Sequence, residues 1–269
     1  MPSLISRLLL PLSAAALSAI AAVAPARAAD LPSRAPAMAP APVVMGPQWT
    51  FTMAAYLWAT GLEGRLRTLP PLPAANVSIG FDQVVKNLDG GIMAAGEAQY
   101  GRALLFFDLI ASKISPDKTF FPAGFPARIT VESGSTIALG AAGYRIVDDP
   151  AYSVDGFVGV RGFSVNTKLR VQTLPATLVL SESEQWADAV VGARVKVNFN
   201  ESFYATLMGF AGGGGSRYEW DVFGGLGYNF TKSVSGFAGY RAMKVDYRNG
   251  TFVFDALQHG PMFGIVSRF

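Results

Sequence analysis

Hydrophobic and polar residues alternate strictly over residues 217–230, RYEWDVFGGLGYNF. Apolar residues and glycines occupy the even positions, whereas Arg217, Glu219 and Asp221 lie between them. Because successive side chains of a strand point to opposite faces, this period predicts a β-strand with one apolar and one polar face. The period alone leaves open which face meets water, since a soluble sandwich buries its apolar face and a membrane barrel turns it toward lipid.

The same period recurs along the chain and predicts ten strands. They cover approximately residues 48–60, 90–100, 102–113, 128–146, 151–166, 184–199, 202–211, 217–230, 233–246 and 254–269. The connections "VDDP", "NES" and "TKS" are short enough for tight turns, whereas residues 61–90, 115–127 and 248–253 form longer loops. Short turns at one end and long loops at the other are typical of outer-membrane barrels. We therefore predict an all-β fold: a single antiparallel up-and-down transmembrane β-barrel of ten strands over residues 48–269, with eight or twelve strands as alternatives.

The N-terminus has the features of an export signal. A short basic region with Arg7 precedes an apolar run, which ends at the small-residue pattern Ala26-Arg27-Ala28. Residues 1–28 are therefore predicted to be a signal peptide. Residues 29–47 are rich in proline and alanine without an apolar period, which predicts a periplasmic linker. The formal net charge of +3 includes Arg7 and Arg27, and without them it is +1, so charge gives no reason to expect a nucleic-acid partner.

The composition is too apolar for a typical exported soluble domain. Only 15% of the residues are charged and 51% are hydrophobic, and there is no cysteine for disulfides or thiolate chemistry. Yet the longest uncharged stretch, residues 35–62, is interrupted by four prolines, so no mature segment predicts a membrane-spanning helix. A closed β-barrel is the other structure that satisfies its backbone in lipid. We therefore expect contact with the lipid of the outer membrane.

The last strand carries a family resemblance. The sequence GPMFGIVSRF ends in Phe269, with Phe263 and Ile265 on the same face, although Ser267 stands where an aromatic residue is usual. This pattern resembles the C-terminal assembly signal of bacterial outer-membrane β-barrel proteins, a class that includes small porin-like barrels of Gram-negative bacteria. The resemblance implies localisation in the cell outer membrane and recognition by the barrel-assembly machinery. It does not identify an individual member.

If the apolar faces meet lipid, the opposite faces line the lumen. One antiparallel register opposes Arg161 to Asp188 and Asp155 to Arg194, and it also places Phe163 against Trp186. That register predicts a hairpin running well past the membrane. The predicted charged residues of the lumen are Glu97, Asp108, Asp155, Arg161, Asp188, Arg194, Lys196, Glu219, Asp221 and Arg241.

Between the strands predicted at residues 217–230 and 233–246, we predict that Asp221 lies opposite Arg241. Opposed charges stabilise a strand pair modestly, which supports both registers. Such charges can be structural pairs that neutralise one another, or a constriction that selects ions or small solutes. Because a barrel of about eight strands is filled by its own side chains and about sixteen strands leave a channel, ten strands predict at most a narrow passage.

Candidate chemistry is sparse. The single histidine, His259, follows Asp255 by four residues, which places both on one strand face but too far apart for a simple hydrogen bond. Some outer-membrane enzymes use Asp and His at the rim, so a rim hydrolase remains an alternative. No cluster has metal-ligand spacing, and "AGGGGSR" lacks the lysine and helix of a phosphate loop. We expect no catalytic residue, no metal and no cofactor.

The sequence therefore predicts a non-enzymatic outer-membrane barrel that is structural or a narrow passive channel for ions or small solutes. The alternatives are an outer-membrane hydrolase and a surface binding or adhesion protein that acts through its long loops.

Overall fold

The structure is a computed structural model that describes residues 48–70, 72–82, 88–114, 117–120, 127–172 and 177–269. The signal peptide predicted at residues 1–28 and the linker predicted at residues 29–47 lie outside these residues. The centre of the predicted hairpin, at residues 174–175, also lies outside them.

Thirteen strands are described. They are β1 (Trp49–Trp58), β2 (Gly61–Arg67), β3 (Ala75–Ile79), β4 (Leu88–Tyr100), β5 (Ala103–Ile114), β6 (Asp117–Phe120), β7 (Ala127–Asp148), β8 (Tyr152–Gln172), β9 (Thr177–Asn198), β10 (Phe203–Gly214), β11 (Tyr218–Asn229), β12 (Val234–Asn249) and β13 (Phe252–Arg268). Ten of them pair antiparallel in the order β1-β4-β5-β7-β8-β9-β10-β11-β12-β13, and β13 pairs with β1 to close the barrel. The predicted fold class and strand number are confirmed.

Three short strands lie in segments that are predicted to be loops. After β1, the chain continues along the same edge of β13 as β2, which also pairs with β3. The short β6 pairs with β7 beyond the end of β5. These strands extend the barrel wall at the end away from the chain termini. The prediction of longer loops over residues 61–90 and 115–127 was therefore wrong in part.

The two ends of the barrel differ in their connections. Tight turns at 101–102, 149–151, 199–202 and 230–233 lie at the end where β1 begins and β13 ends. At the first of these turns Gly101 has a φ of 58°, a left-handed conformation that favours glycine. By the usual asymmetry of outer-membrane barrels, this end faces the periplasm.

Strands β7, β8 and β9 are far longer than a membrane requires. They contain 22, 21 and 22 residues. At about 3.3 Å per residue and a tilt of about 40°, such a strand climbs roughly 55 Å, about twice the height of the ~25 Å apolar band. These strands therefore project beyond the outer surface of the membrane, as predicted for β8 and β9.

The apolar faces point outward. On the outside of the barrel, Val191 and Leu226 are each 62% exposed. Arg161 and Asp188 lie on the inner face of the β8–β9 hairpin and are fully buried. In a soluble sandwich this distribution would be reversed. Arg161 and Asp188 therefore lie in the enclosed interior, and Val191 and Leu226 belong to the apolar outer surface.

Strand register follows the sequence in one hairpin and departs from it in another. Between β8 and β9, Arg161 lies opposite Asp188, and Phe163 lies opposite Trp186, as predicted. Between β11 and β12, Asp221 lies opposite Met243, and Arg241 lies opposite Phe223. The predicted β11–β12 register was wrong by two residues, because an arginine side chain is long enough to reach its diagonal neighbour at about 7–8 Å.

None of the described residues forms a helix that is long and apolar enough to cross a membrane.

Candidate functional site in the barrel lumen

Three arginines connect strands that face one another across the lumen. We call these ion pairs the lumenal bridges. In the first bridge, Arg161 on β8 donates from Nη1 to Glu219 Oε2 over 2.8 Å and from Nη2 to Asp221 Oδ2 over 2.9 Å. Both acceptors lie on β11, and β9 and β10 separate it from β8 in the sheet. The bridge therefore crosses the interior rather than following the wall.

The second lumenal bridge is formed by Arg241 on β12. Its Nε and Nη2 donate to the two carboxylate oxygens of Asp221 over 2.9 and 2.8 Å, and Nη2 also donates to Asp108 Oδ2 over 2.7 Å. Tyr56 donates its hydroxyl proton to Asp108. Since Asp221 accepts from both Arg161 and Arg241, the first two bridges form one network that joins β1, β5, β8, β11 and β12.

The third lumenal bridge lies nearer the periplasmic end. Arg194 Nη1 lies 2.6 Å from Glu97 Oε2 on β4, across the barrel from β9. Arg194 also donates to Asp155 Oδ2 over 2.7 Å, while Arg145 Nε donates to Asp155 Oδ1 over 2.9 Å. Asp155 is fully buried between these two guanidinium groups. The predicted opposition of Asp155 and Arg194 is therefore also an ion pair.

Arg161 and Asp188 lie opposite each other as predicted, but Arg161 forms its ion pairs with other acids. Asp188 lies opposite Arg161 in the register, but its Oδ1 accepts from the backbone N–H of Ser216 over 2.6 Å. The guanidinium of Arg161 turns instead toward Glu219 and Asp221. Cross-strand opposition predicts the neighbour of a side chain but not the group across the lumen that binds it.

Aromatic side chains fill the lumen on the extracellular side of the first two bridges. Trp186 stacks on Phe163 with ring centroids 5.0 Å apart, and on Tyr247 with centroids 4.0 Å apart. Trp58, Val165, Met243, Val245, Phe252 and Met262 belong to the same buried cluster. Above the cluster, burial and then the Glu184 carboxylate raise the pKa of the Tyr247 hydroxyl. Packed rings as well as ion pairs therefore occupy the interior.

A second aromatic cluster lies between the first and third bridges. Phe106, Phe157 and Phe210 have ring centroids 5.8–6.2 Å apart. The guanidinium carbon of Arg161 lies 5.6 Å from the Phe210 ring, and that of Arg194 lies 5.4 Å from the Phe157 ring. Cation–π contact of this kind adds stabilisation to buried arginines.

A cavity of about 160 Å³ lies in the periplasmic half of the lumen. Its lining is mostly apolar and includes Phe106, Met208, Phe223, Phe237 and Met262. Arg241 and Asp108 line the cavity on its extracellular side, and Tyr204, Val266 and Arg194 line it closer to the periplasmic strand ends.

Several interior residues were not among the predicted site residues. Tyr56, Tyr204, Arg145 and Arg268 all have side-chain contacts inside the barrel. Their signal was present, because each stands at an inward position of a predicted strand.

His259 lies on the outer face of β13, the face that also carries the exposed Phe263 and Ile265 four and six residues later. Its Nδ1 is 2.5 Å from the Tyr240 hydroxyl, and its Nε2 is 3.7 Å from Glu63 Oε1. Asp255 lies on the same face but pairs with Lys244. The histidine is therefore outside the lumen and apart from the ion network.

The residues of the predicted assembly signal lie on the outer face of β13 near its periplasmic end. Phe263 and Ile265 are 49% and 61% exposed, and Phe269 is 74% exposed. Phe269 exchanges backbone hydrogen bonds with Phe51 of β1 at the closure of the barrel. In the described strands and turns, no group of three or more His, Asp or Glu residues is arranged to hold a metal ion.

Comparison with known proteins gives the fold but no close relative. No protein-family model matches the chain, and no curated protein sequence matches it. The outer-membrane protease OmpT from Escherichia coli matches with a TM-score of 0.54 and 8% identity, over 82% of this chain and 97% of OmpT. The translocator domain of the autotransporter NalP from Neisseria meningitidis matches with a TM-score of 0.39 and 12% identity, over 82% of this chain and 88% of that domain. At these identities the OmpT match shows the fold alone.

The closed barrel, its apolar outer surface and its polar interior define the class: the chain is a bacterial outer-membrane β-barrel protein. The predicted class and localisation are confirmed.

Proposed function

We propose that the protein is a non-enzymatic, structural barrel of the outer membrane whose lumen is closed to solutes. The observation that carries the proposal is the first lumenal bridge. Arg161 is fully buried, and it joins β8 to Glu219 and Asp221 across the interior.

The lumenal bridges favour a structural role over a narrow passive channel. An ion crossing the barrel would have to separate charge-assisted hydrogen bonds of 2.7–2.9 Å that have no water-exposed alternative. It would then have to pass the stacked rings of Trp186 and Tyr247. Breaking a buried pair costs about 3–5 kcal/mol by analogy with single-partner deletions, which opposes frequent opening.

Single-channel recording tests this proposal. Folding of the purified barrel is verified by its resistance to unfolding in cold detergent. The folded barrel is then reconstituted in planar bilayers. We expect no stepwise conductance from the wild-type protein. An outer-membrane porin of known conductance, reconstituted in the same way, is the positive control. Stepwise conductance of the wild-type barrel in proportion to inserted protein would refute the closed lumen.

The projecting strands favour surface binding as a second candidate function. At the tip of β9, Leu178 and Val179 are 56% and 48% exposed. On β8, Lys168 and Arg170 are exposed without a carboxylate partner in the part of the chain that the structure describes. A wall of strands that ends in exposed apolar and basic side chains is a surface that another molecule can contact.

Shortening the β8–β9 hairpin tests this second function. Thr167 lies opposite Glu182, so residues 168–181 can be replaced by an Asn-Gly turn without changing the register below. Cells displaying either form are compared for adhesion to heparin-coated and uncoated surfaces. Adhesion that depends on the hairpin supports surface binding, and equal adhesion of both forms argues against it.

The hydrolase alternative receives little support. OmpT is a protease, but its likeness to this chain concerns the fold. His259 faces outward, 35% exposed, and contacts Tyr240 rather than an aspartate. A His259→Ala variant is expected to show the same peptide and lipid hydrolysis as wild type, that is, none above background.

A further inference from the structure

The lumen cavity has the size and lining of a small-molecule site. It measures about 160 Å³, and its lining is mostly apolar, with Asp108, Arg194 and Arg241 as the charged members. An apolar protein cavity of about 150 Å³ can hold a benzene molecule, so this one can take a single ring or a chain of about six carbons.

Two cations lie on the periplasmic side of this cavity. Lys196 is two residues from Arg194 on β9, and Arg268 is two residues from Val266 on β13. Because alternate residues of a strand share a face, Lys196 and Arg268 stand next to Arg194 and Val266, which line the cavity. The cavity and the two cations therefore form one continuous surface along the inner wall.

Tyr204 connects the cavity to both cations. Its ring lines the cavity, and the Lys196 ammonium lies 4.5 Å from the ring centroid. Its hydroxyl is 3.4 Å from Ser235 Oγ, which accepts from Arg268 Nη2 over 3.2 Å. Ser235 is fully buried. The polar groups of this entrance are therefore held in place by packing and hydrogen bonds.

Lys196 and Arg268 differ from the other interior cations in having no carboxylate partner. Arg161, Arg194 and Arg241 each form at least two short contacts with acids. Among the described residues, no carboxylate lies within ion-pair distance of Lys196 or Arg268. Both line a wider mouth of about 450 Å³, where Glu201 is the one acid of its lining. The mouth thus has an excess of positive charge.

We infer that the periplasmic half of the lumen binds a small monocarboxylate with an apolar body. The carboxylate accepts charge-assisted hydrogen bonds from Lys196 and Arg268, and the body enters the cavity beside Phe237 and Met208. The first two lumenal bridges close the far side, so the ligand enters and leaves from the periplasm. This site does not depend on whether the barrel conducts, and it extends the proposed function.

Equilibrium dialysis of radiolabelled benzoate and hexanoate tests the site. The full-length mature barrel is used in lipid nanodiscs, with empty nanodiscs correcting for partition into lipid. We expect saturable binding of both carboxylates and at least tenfold weaker binding of hexylamine, which has the same body and the opposite charge. Retention equal to that of empty nanodiscs, or equal binding of hexylamine, would overturn the inference.

Variants separate the two parts of the site. Lys196→Gln and Arg268→Gln are each expected to weaken benzoate binding about tenfold or more, and Phe237→Trp is expected to abolish it by filling the cavity. Lys232→Gln, in the exposed turn after β11, is the matched control and should bind like wild type. Unchanged binding by both Lys196→Gln and Arg268→Gln would refute the carboxylate site. Because conductance is measured separately, failure here leaves the closed-lumen proposal standing.

Discussion

Arg161 and Asp221 lie on strands that are separated by two others, yet Arg161 Nη2 donates to Asp221 Oδ2 over 2.9 Å. Backbone hydrogen bonds connect each strand only to its neighbours around the barrel. The Arg161–Asp221 contact instead joins opposite walls. Asp221 also accepts a hydrogen bond from Arg241, which in turn donates to Asp108. The barrel is therefore held both around its circumference and across its interior.

Removing one partner of the first lumenal bridge should destabilise the barrel more than removing a matched pair. Arg161→Ala leaves Glu219 buried without its counter-ion, and the expected loss is about 3–5 kcal/mol in the free energy of unfolding. In the double variant Arg161→Met, Glu219→Gln, methionine keeps most of the apolar stem of Arg161, glutamine keeps the volume of Glu219, and both charges are removed. We expect this double variant to recover most of the loss, because Asp221 retains Arg241 as a partner.

Guanidinium unfolding in lipid vesicles, followed by tryptophan fluorescence, measures both values. Equal losses for Arg161→Ala and the double variant would show that the cost comes from losing the hydrogen bonds of the Arg161 guanidinium rather than from an unpaired buried carboxylate.

The Phe210 ring makes Gly192 a position where even one methyl group is excluded. A Cβ at Gly192 would lie 2.3 Å from Phe210 Cδ1 and 2.7 Å from the backbone oxygen of Gly209. Gly192→Ala is therefore expected to cost about 1–3 kcal/mol through overpacking. Gly140→Ala is the control, because nothing lies within 4 Å of its added Cβ. The same unfolding measurement should leave Gly140→Ala within about 1 kcal/mol of wild type; similar costs for both would contradict the predicted role of the ring.

The sequence was most informative where several constraints agreed on one register. In the β8–β9 hairpin, two charge pairs and the Phe163–Trp186 pair all required the same alignment, and the structure has it. In the β11–β12 hairpin, only Asp221 and Arg241 were used. A single pair of long side chains is compatible with two registers, because a diagonal contact satisfies the charges as well as a direct one.

The contacts across the lumen could not be predicted in the same way. Alternation places Arg161 and Glu219 on inward faces, but which of them meet depends on the closure and stagger of the barrel. The strands β2, β3 and β6 were missed for a different reason. They are short extensions at the barrel rim, and β2 and β3 contain seven and five residues. These strands are too short to show a clear period, and they form because β2 pairs with β13 and β6 pairs with β7.

Thiol cross-linking distinguishes the two β11–β12 registers. The chain has no cysteine, so introduced pairs react without background. Leu226 lies opposite Ala238 in the structure, and the Leu226→Cys, Ala238→Cys variant should be cross-linked by a short bis-thiol reagent. In the register expected from the sequence, Gly224 lies opposite Ala238, so Gly224→Cys with Ala238→Cys is the matched pair. In the structure the thiols of this pair lie diagonally across the two strands. Faster cross-linking of the second pair would show that the register of the structure is wrong.

The orientation of the barrel wall predicts a depth-dependent cost of charge on one strand. Val191 and Val179 both lie on the outer face of β9, separated by twelve residues, which is roughly 30 Å along the barrel axis. Val191 lies about midway between Phe199 at the periplasmic end and the polar Ser183 above the apolar band. Arginine at the bilayer midplane of a barrel costs about 2–4 kcal/mol, and near or beyond the interface about 0–1 kcal/mol.

Val191→Arg should therefore lower the free energy of unfolding in vesicles by about 2–4 kcal/mol, while Val179→Arg should change it by less than about 1 kcal/mol. The two variants share the residue, the substitution and the strand, so intrinsic strand propensity cancels in the comparison. The difference arises only if acyl chains surround Val191 and water surrounds Val179. If both variants unfold like wild type, Val191 does not face lipid and the chain does not span a membrane in this orientation.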